Sequence, residues 1–268
     1  METVLTQWNF SPVNIALLLA VTGAYYWLSG FKRQKRALFF WLGMSVFVLA
    51  ACSPLHYLGM RYYFSAHMIT HIMLLLVCGP LLVLSIPTVL PERLQHGVNR
   101  LSAFLYRRSW LGWMAGVGLM WCWHIPAVFD AAAAQMHAPY SILPLLHTAG
   151  MVLAGMLFCW PLAGPVPRYH IHPLQGVLYL FTACITCSLL GLLITFAPLG
   201  TYHHYIDMDA MMHSTGSGPW GLSRAADQQA AGLIMWVPCC FIYLAGCLLL
   251  LQRWFAGNTI NTLSATYD

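Results

Sequence analysis

The sequence predicts an all-α integral membrane protein, with seven transmembrane helices in one bundle, the N-terminus outside and the C-terminus cytoplasmic. Three observations predict it. Of 268 residues, 60% are hydrophobic and only 7% are charged, where a soluble domain carries about 25% charged residues. Seven apolar runs come near the roughly 20 residues that cross about 30 Å of hydrocarbon as a helix. The basic residues then sort to one side of the membrane. Too little polar surface remains to cover a globule in water, so residues 1–268 read as a single transmembrane domain.

The first span covers about 12–29 and is followed by Lys32-Arg33-Gln34-Lys35-Arg36. No basic region precedes it, so a cleavable signal peptide is not expected. The second span, about 37–56, ends near Ser53-Pro54. The third, about 65–87, contains Pro80, which lacks an N–H and crowds the carbonyl four residues back, so a kink is expected near Leu76. A polar connector, 88–109, holds Glu92, Arg93, Arg100, Arg107 and Arg108 and reads as a short interfacial helix. The fourth span, about 110–129, places Gly112 and Gly116 in the spacing that lets helices approach closely. The fifth is about 141–162 and the sixth about 174–198. A long polar loop, 199–224, precedes the seventh, about 227–251, and the tail from Gln252 reads as frayed. No internal repeat or low-complexity segment interrupts this order.

With the N-terminus outside, Lys32, Arg33, Lys35, Arg36, Arg93, Arg100, Arg107, Arg108, Arg168 and Arg253 are cytoplasmic, and only Arg61 and Arg224 of the 12 basic residues lie outside. The net charge of +5 therefore follows topology and lipid-surface contact rather than nucleic-acid binding. The nine cysteines fall in or beside apolar runs and read as packing residues rather than a disulfide framework. Cys184 and Cys187, three apart in mid-span, have a soft-cation site as their alternative reading.

The histidines carry the functional signal. His67 and His71 are four apart, so they share one face of a helix about 5–6 Å apart at Cβ. Ionisable groups at membrane depth are costly and mark sites by default. His147, about six residues into span five, and His124, near the outer end of span four, fall in the same outer layer. So do His56 at the end of span two and Asp227 at the start of span seven. Together His67, His71, His147 and Asp227 are the candidate metal set, and His124, His56, Asp130 and Gln228 are additional ligands or supporting partners.

Three imidazoles suit copper or zinc, with Asp227 a fourth ligand or an orienting carboxylate. Asp227 has a structural alternative, as a cap on its own helix. The rival cofactor is haem b held between two histidines, for which His71 and His147 stand at matched depth and Ala149, Gly150 and Ala154 would leave space. His203, His204 and His213 read as solvated loop residues. Met68, Met73, Met208, Met211 and Met212 read as packing, with Cu(I) transfer as the alternative.

Several motifs resemble a known family. They are His67-Met68-Ile69-Thr70-His71 followed by 79–87 with Gly79-Pro80; Trp123-His124-Ile125-Pro126-Ala127 with Asp130; the stretch Leu190–Ala197; and Asp227-Gln228-Gln229-Ala230-Ala231-Gly232 running to Pro238. Together they resemble the CtaG-type assembly factors of bacterial caa-type cytochrome c oxidases. The resemblance implies seven helices, residence in the bacterial plasma (inner) membrane, and haem–copper cytochrome c oxidase subunits as partners alongside membrane lipid. It also implies a part in supplying copper. The family's motif histidines then fall on His67, His71, His124 and His147, with Asp227 opening the last helix. Leu146 departs from the pattern, since a carboxylate is expected there, and His147 so lacks an adjacent acid to orient it. No nucleophile–base pair, phosphate loop or carboxylate dyad points to an enzyme. A permease would need a polar path that the apolar cytoplasmic halves of spans three and five do not offer.

Overall fold

Uninterrupted apolar runs become long helices, and prolines and serines decide where they break. The computed structural model describes residues 6–10, 12–29, 36–87, 90–136, 142–211 and 220–265. Within them every regular element is helical. The basic residues Lys32, Arg33 and Lys35, and Met212 and His213, lie outside the described residues, as do the side chains of Met208 and Met211.

Among the described residues, five helices are long and apolar enough to cross a membrane: Ala37–Arg61, Phe64–Ser85, Leu143–Ala163, Pro173–Phe196 and Arg224–Ala256. A sixth span is formed if the bent pair Ser109–Trp123 and Pro126–Ala133 is counted as one. The first apolar helix, α1 (Pro12–Ser29), is apolar but shorter than these over its described stretch, Asn14–Ser29.

Two boundaries differ from the sequence expectation, and one kink takes another form. The second run does not stop at Ser53-Pro54. After α2 (Ala37–Ala51), Ser53 caps a new helix, α3 (Pro54–Arg61). The Ser53 hydroxyl accepts the Leu55 N–H at 3.2 Å, and Pro54 occupies the first helical position, where its missing N–H costs nothing. The same dipeptide that ends one helix starts the next.

The third span runs through Pro80. It comprises α4 (Phe64–Ile72), a π-helical turn at Met73–Cys78 and α5 (Gly79–Ser85). The wider turn takes up the hydrogen bond that Pro80 cannot make, so the expected kink becomes a π segment. The connector does form a helix, α6 (Glu92–Arg107).

The fourth run is not one straight span over 110–129. α7 (Ser109–Trp113), a π turn (Met114–Gly118) and α8 (Leu119–Trp123) end at His124, and the chain turns 73° into α9 (Pro126–Met136). Pro126 cannot continue the preceding ladder but opens a helix well. The chain then forms α10 (Leu143–Ala163), α11 (Pro173–Phe196), α12 (His204–Met211) and α13 (Arg224–Ala265). The last helix includes most of the tail read as frayed.

α11 packs along α13, α13 against α4, and α10 against the π turn and α5 of the third span. Met68, Met120, Met151, Ala183, Leu190, Ala231 and Met235 lie in the shared core. α10 crosses the third span at two glycines. A Cβ on Gly79 would come 2.7 Å from the carbonyl carbon of Gly155, and one on Gly155 would run into the Leu75 carbonyl oxygen. Backbone cannot yield as a side chain does, so this crossing fixes how closely α10 approaches α4. The paired glycines Gly112 and Gly116 similarly admit Leu157 and Phe158 of α10.

Gly155→Ala is expected to destabilise the protein by about 1–3 kcal/mol, as overpacking does. Gly150→Ala, whose Cβ would meet only Leu119 Cδ2 at 3.8 Å, should be neutral or slightly stabilising. Thermal unfolding of both variants in the same detergent checks the contrast.

Candidate metal centre

His67 and His71 lie one turn apart on α4, and their rings lie tilted to each other at 4.3 Å between centroids. α10 brings His147 against them, 5.6 Å from the His67 ring and 4.8 Å from the His71 ring. One potential ligand atom from each of the three lies within 4.8 Å of the others. The Nε2 atoms of His71 and His147 are 2.8 Å apart, so one donates a proton to the other. All three rings are buried, His71 completely. His71 Nδ1 is buried without a hydrogen-bond partner, an expensive state for a polar atom.

Aromatic edges wall the cluster. Trp123 meets His147 edge-on at 4.9 Å, and Phe129 meets His67 at 5.6 Å and 90°. A cavity of about 10 Å³ adjoins the three histidines. Its far side is lined by Met60 of α3 and by His204 and Tyr205 of α12. α12 is held there by hydrogen bonds: the Tyr205 hydroxyl donates to the Gly59 carbonyl at 2.7 Å, and Tyr202 donates to the His124 carbonyl at 3.0 Å. Burial raises both phenols, Tyr202 to about 12 with help from Asp130, so both remain donors. His204 is thus half-buried over the site rather than a solvated loop residue, whereas the His203 side chain is exposed. Nothing local in the sequence signals this, because the contacts join segments far apart in the chain, 78 residues between Tyr202 and His124 and 146 between Tyr205 and Gly59.

The remaining candidates take other positions. Asp227 is buried, but it is not among the clustered ligand atoms. Its Oδ2 accepts the Phe64 N–H at 2.7 Å, and its Oδ1 accepts the Ser65 N–H at 3.1 Å and the Ser65 hydroxyl at 2.5 Å. Asp227 therefore caps the N-terminus of the helix that holds the histidine pair, 163 residues away in sequence. It is neither a ligand in this arrangement nor simply a cap on its own helix. A carboxylate at a helix N-terminus satisfies orphan N–H groups and the positive end of the dipole. Arg224 adds a charge 3.9 Å away.

Asp130 accepts the His203 and His204 N–H groups, each at 3.2 Å, and so starts α12 in the same manner. The Gln228 amide donates to the Ala197 and Ile194 carbonyls at the end of α11. His56 lies within electrostatic range of His67 and His147 but does not line the cavity. His124 closes α8 beside His71, at 5.1 Å between rings. Cys184 and Cys187 do not form a site with each other: Cys184 contacts Cys240 at 3.3 Å and Cys187 contacts the Tyr243 hydroxyl at 3.4 Å. All nine cysteines are free.

A polytopic helical membrane protein with three buried imidazoles at one end of its bundle is thereby defined. The family model for cytochrome c oxidase caa3 assembly factors (Caa3_CtaG) matches residues 16–257, and the chain belongs to that family. No curated protein sequence and no solved structure matches it.

Asp227→Ala is expected to orphan two backbone donors and lower stability by about 2–4 kcal/mol. Asp227→Asn, which keeps an acceptor but not the charge, should lose roughly half as much. Chemical or thermal unfolding in detergent measures both.

Proposed function

We propose that this oxidase assembly factor binds a copper ion at His67, His71 and His147 and passes it to the copper centre of its partner oxidase. In this reading the chain crosses the bacterial plasma membrane seven times, α1 being the first crossing and the bent fourth segment one crossing. The N-terminus and the histidine end face outward and the basic connectors inward. The protein acts as a chaperone rather than an enzyme, and copper is its cargo.

The single observation that carries the reading is the convergence of three buried imidazoles, with no carboxylate or backbone group hydrogen-bonded to their ring nitrogens among the described residues. The donor set fits a metal ion. Metal–imidazole bonds of about 2.0–2.1 Å place nitrogens about 3.3–3.6 Å apart in trigonal or tetrahedral geometry. The three side chains reach that from their present separations by small rotations, and the orphaned His71 Nδ1 would gain a role if that nitrogen binds. Each neutral ring keeps its one N–H, so the ring that now donates would bind through its other nitrogen or shift its proton there, since a ligating imidazole must present a lone pair. Three protein ligands leave a fourth position open, as transfer by ligand exchange requires.

An ion is favoured over haem. Two axial imidazoles stand roughly 4 Å apart across iron, twice the ~2.0 Å metal–nitrogen distance, whereas the His71 and His147 Nε2 atoms are 2.8 Å apart. The adjoining cavity of about 10 Å³ holds one water-sized occupant and no macrocycle.

Purified protein loaded with copper is expected to hold about one copper per chain without a Soret band. Alanine at His67, His71 or His147 should lower that affinity at least tenfold, and cells bearing these variants should make copper-deficient, inactive oxidase. Fully metallated oxidase in all three strains would overturn the reading, as would a Soret band with stoichiometric iron.

A further inference from the structure

We infer that Met68 and His124 form a second metal station, specific for a soft monovalent cation, directly beside the three-histidine cluster. The inference rests on the copper reading above and adds the oxidation state and the ligand that selects it.

The argument starts from proton positions. His124 Nδ1 lies 2.6 Å from the Met120 carbonyl oxygen. A carbonyl only accepts, so Nδ1 carries the proton and donates it. In the neutral ring Nε2 is then a bare lone pair. It points at the Met68 sulfur, 3.0 Å away. A thioether has no proton to give. Two acceptors thus face each other inside hydrogen-bond distance with nothing between them. No carboxylate pairs with His124 among the described residues to hold a second proton on its ring. The opposite tautomer is worse, because it would set a bare Nδ1 against the carbonyl.

Burial sharpens the conflict. Met68 is 0% exposed and His124 3%, so water does not relieve it. A cation between the two atoms does. Bonds of about 2.0 Å to nitrogen and 2.3 Å to sulfur set the two donors about 3.5 Å apart at a tetrahedral angle and about 3.7 Å apart at a trigonal one, so the pair opens by roughly 0.5–0.7 Å, which an unbranched methionine side chain accommodates.

The donor pair selects the ion. Imidazole alone accepts copper, zinc, iron or nickel, whereas a thioether favours Cu(I). Met68 lies between His67 and His71 in sequence and projects from another face of α4, so one helix serves both stations. The His71 ring is 4.8 Å from that of His147 and 5.1 Å from that of His124, and its Nδ1 has no hydrogen-bond partner. His71 therefore stands between the two stations as the group through which an ion moves from one to the other.

The test uses full-length protein in detergent, loaded anaerobically with Cu(I) and separately with Zn(II). X-ray absorption of the Cu(I) form should show sulfur as well as nitrogen scattering. Met68→Leu, a near-isosteric change, should abolish the sulfur signal and weaken Cu(I) binding at least tenfold in competition with a chromogenic chelator, with Zn(II) binding unchanged. His124→Gln should give the same selective loss and stands in if Met68→Leu lowers the melting temperature. Nitrogen-only Cu(I) scattering in the wild type would overturn this inference and leave copper at the three histidines intact. An equal loss of Cu(I) and Zn(II) in both variants would overturn it too, as a packing effect. Failure of the wild type to bind copper at all would overturn the copper reading and this inference with it.

Discussion

The carboxylate of Asp227, buried at the start of the last helix, is the interaction on which the arrangement of the site depends. A helix that begins inside a membrane bundle exposes N–H groups that water does not reach. α4 begins there at Phe64, between α3 and α13. Asp227 supplies both acceptors, to Phe64 and Ser65, and sets where the first turn of α4 lies relative to α13. His67 and His71 follow one and two turns on, so their depth and direction are set by a carboxylate on another span. The negative charge is offset by the helix dipole and by Arg224. It is not among the clustered ligand atoms and leaves their donor set uncharged.

The second constraint is the close crossing of α10 over the third span. Gly79 and Gly155 allow backbone contact, and His147 stands two turns before Gly155, so that crossing brings its ring to His71. The π turn at Met73–Cys78 lies between the histidine pair and Gly79. An extra residue in a turn shifts helical phase by about 100°. The face that packs at Gly79 is therefore not the face that a regular helix would align with His71. A second π turn, Met114–Gly118, precedes His124 in the same way. Each adjusts the direction of a functional side chain while the span keeps its packing below.

How far the sequence revealed this follows from the range of each interaction. Composition and run length are local averages, and they predict a helical membrane protein directly. The His67–His71 pair depends only on helical periodicity and is equally legible. A common depth for His147 and His124 follows from counting residues into each span. What escapes such counting is direction. Asp227 reads as a ligand or a cap on its own helix, because nothing in its neighbourhood names Phe64, 163 residues away. Ser53-Pro54 reads as an end, because the same residues serve to start a helix. The 73° turn at His124 and the return of Tyr202, His204 and Tyr205 over the site come from loop geometry that periodicity does not encode.

A protein that hands on a metal must bind it selectively yet release it. A fully saturated, charged coordination shell would oppose release. Here the clustered donors are neutral imidazoles, and the nearby carboxylates, Asp227 and Asp130, are both occupied as helix caps. Holding these acids away from the cluster would leave a bound ion's charge uncompensated in a low-dielectric interior, which would limit its affinity. If the three histidines hold copper as proposed, two helices supply the ligands under a cover of aromatic edges and the short α12, and one coordination position is left for an incoming partner ligand. α12 is tied down by a few hydrogen bonds rather than by a span, so on the proposed function it is the element that such a partner would displace at least cost. On the proposed function the same separation of charge from ligation would account for Leu146 beside His147: with the ring in contact with Trp123, His67 and His71, an adjacent acid is not needed to orient it and would tighten an ion's hold.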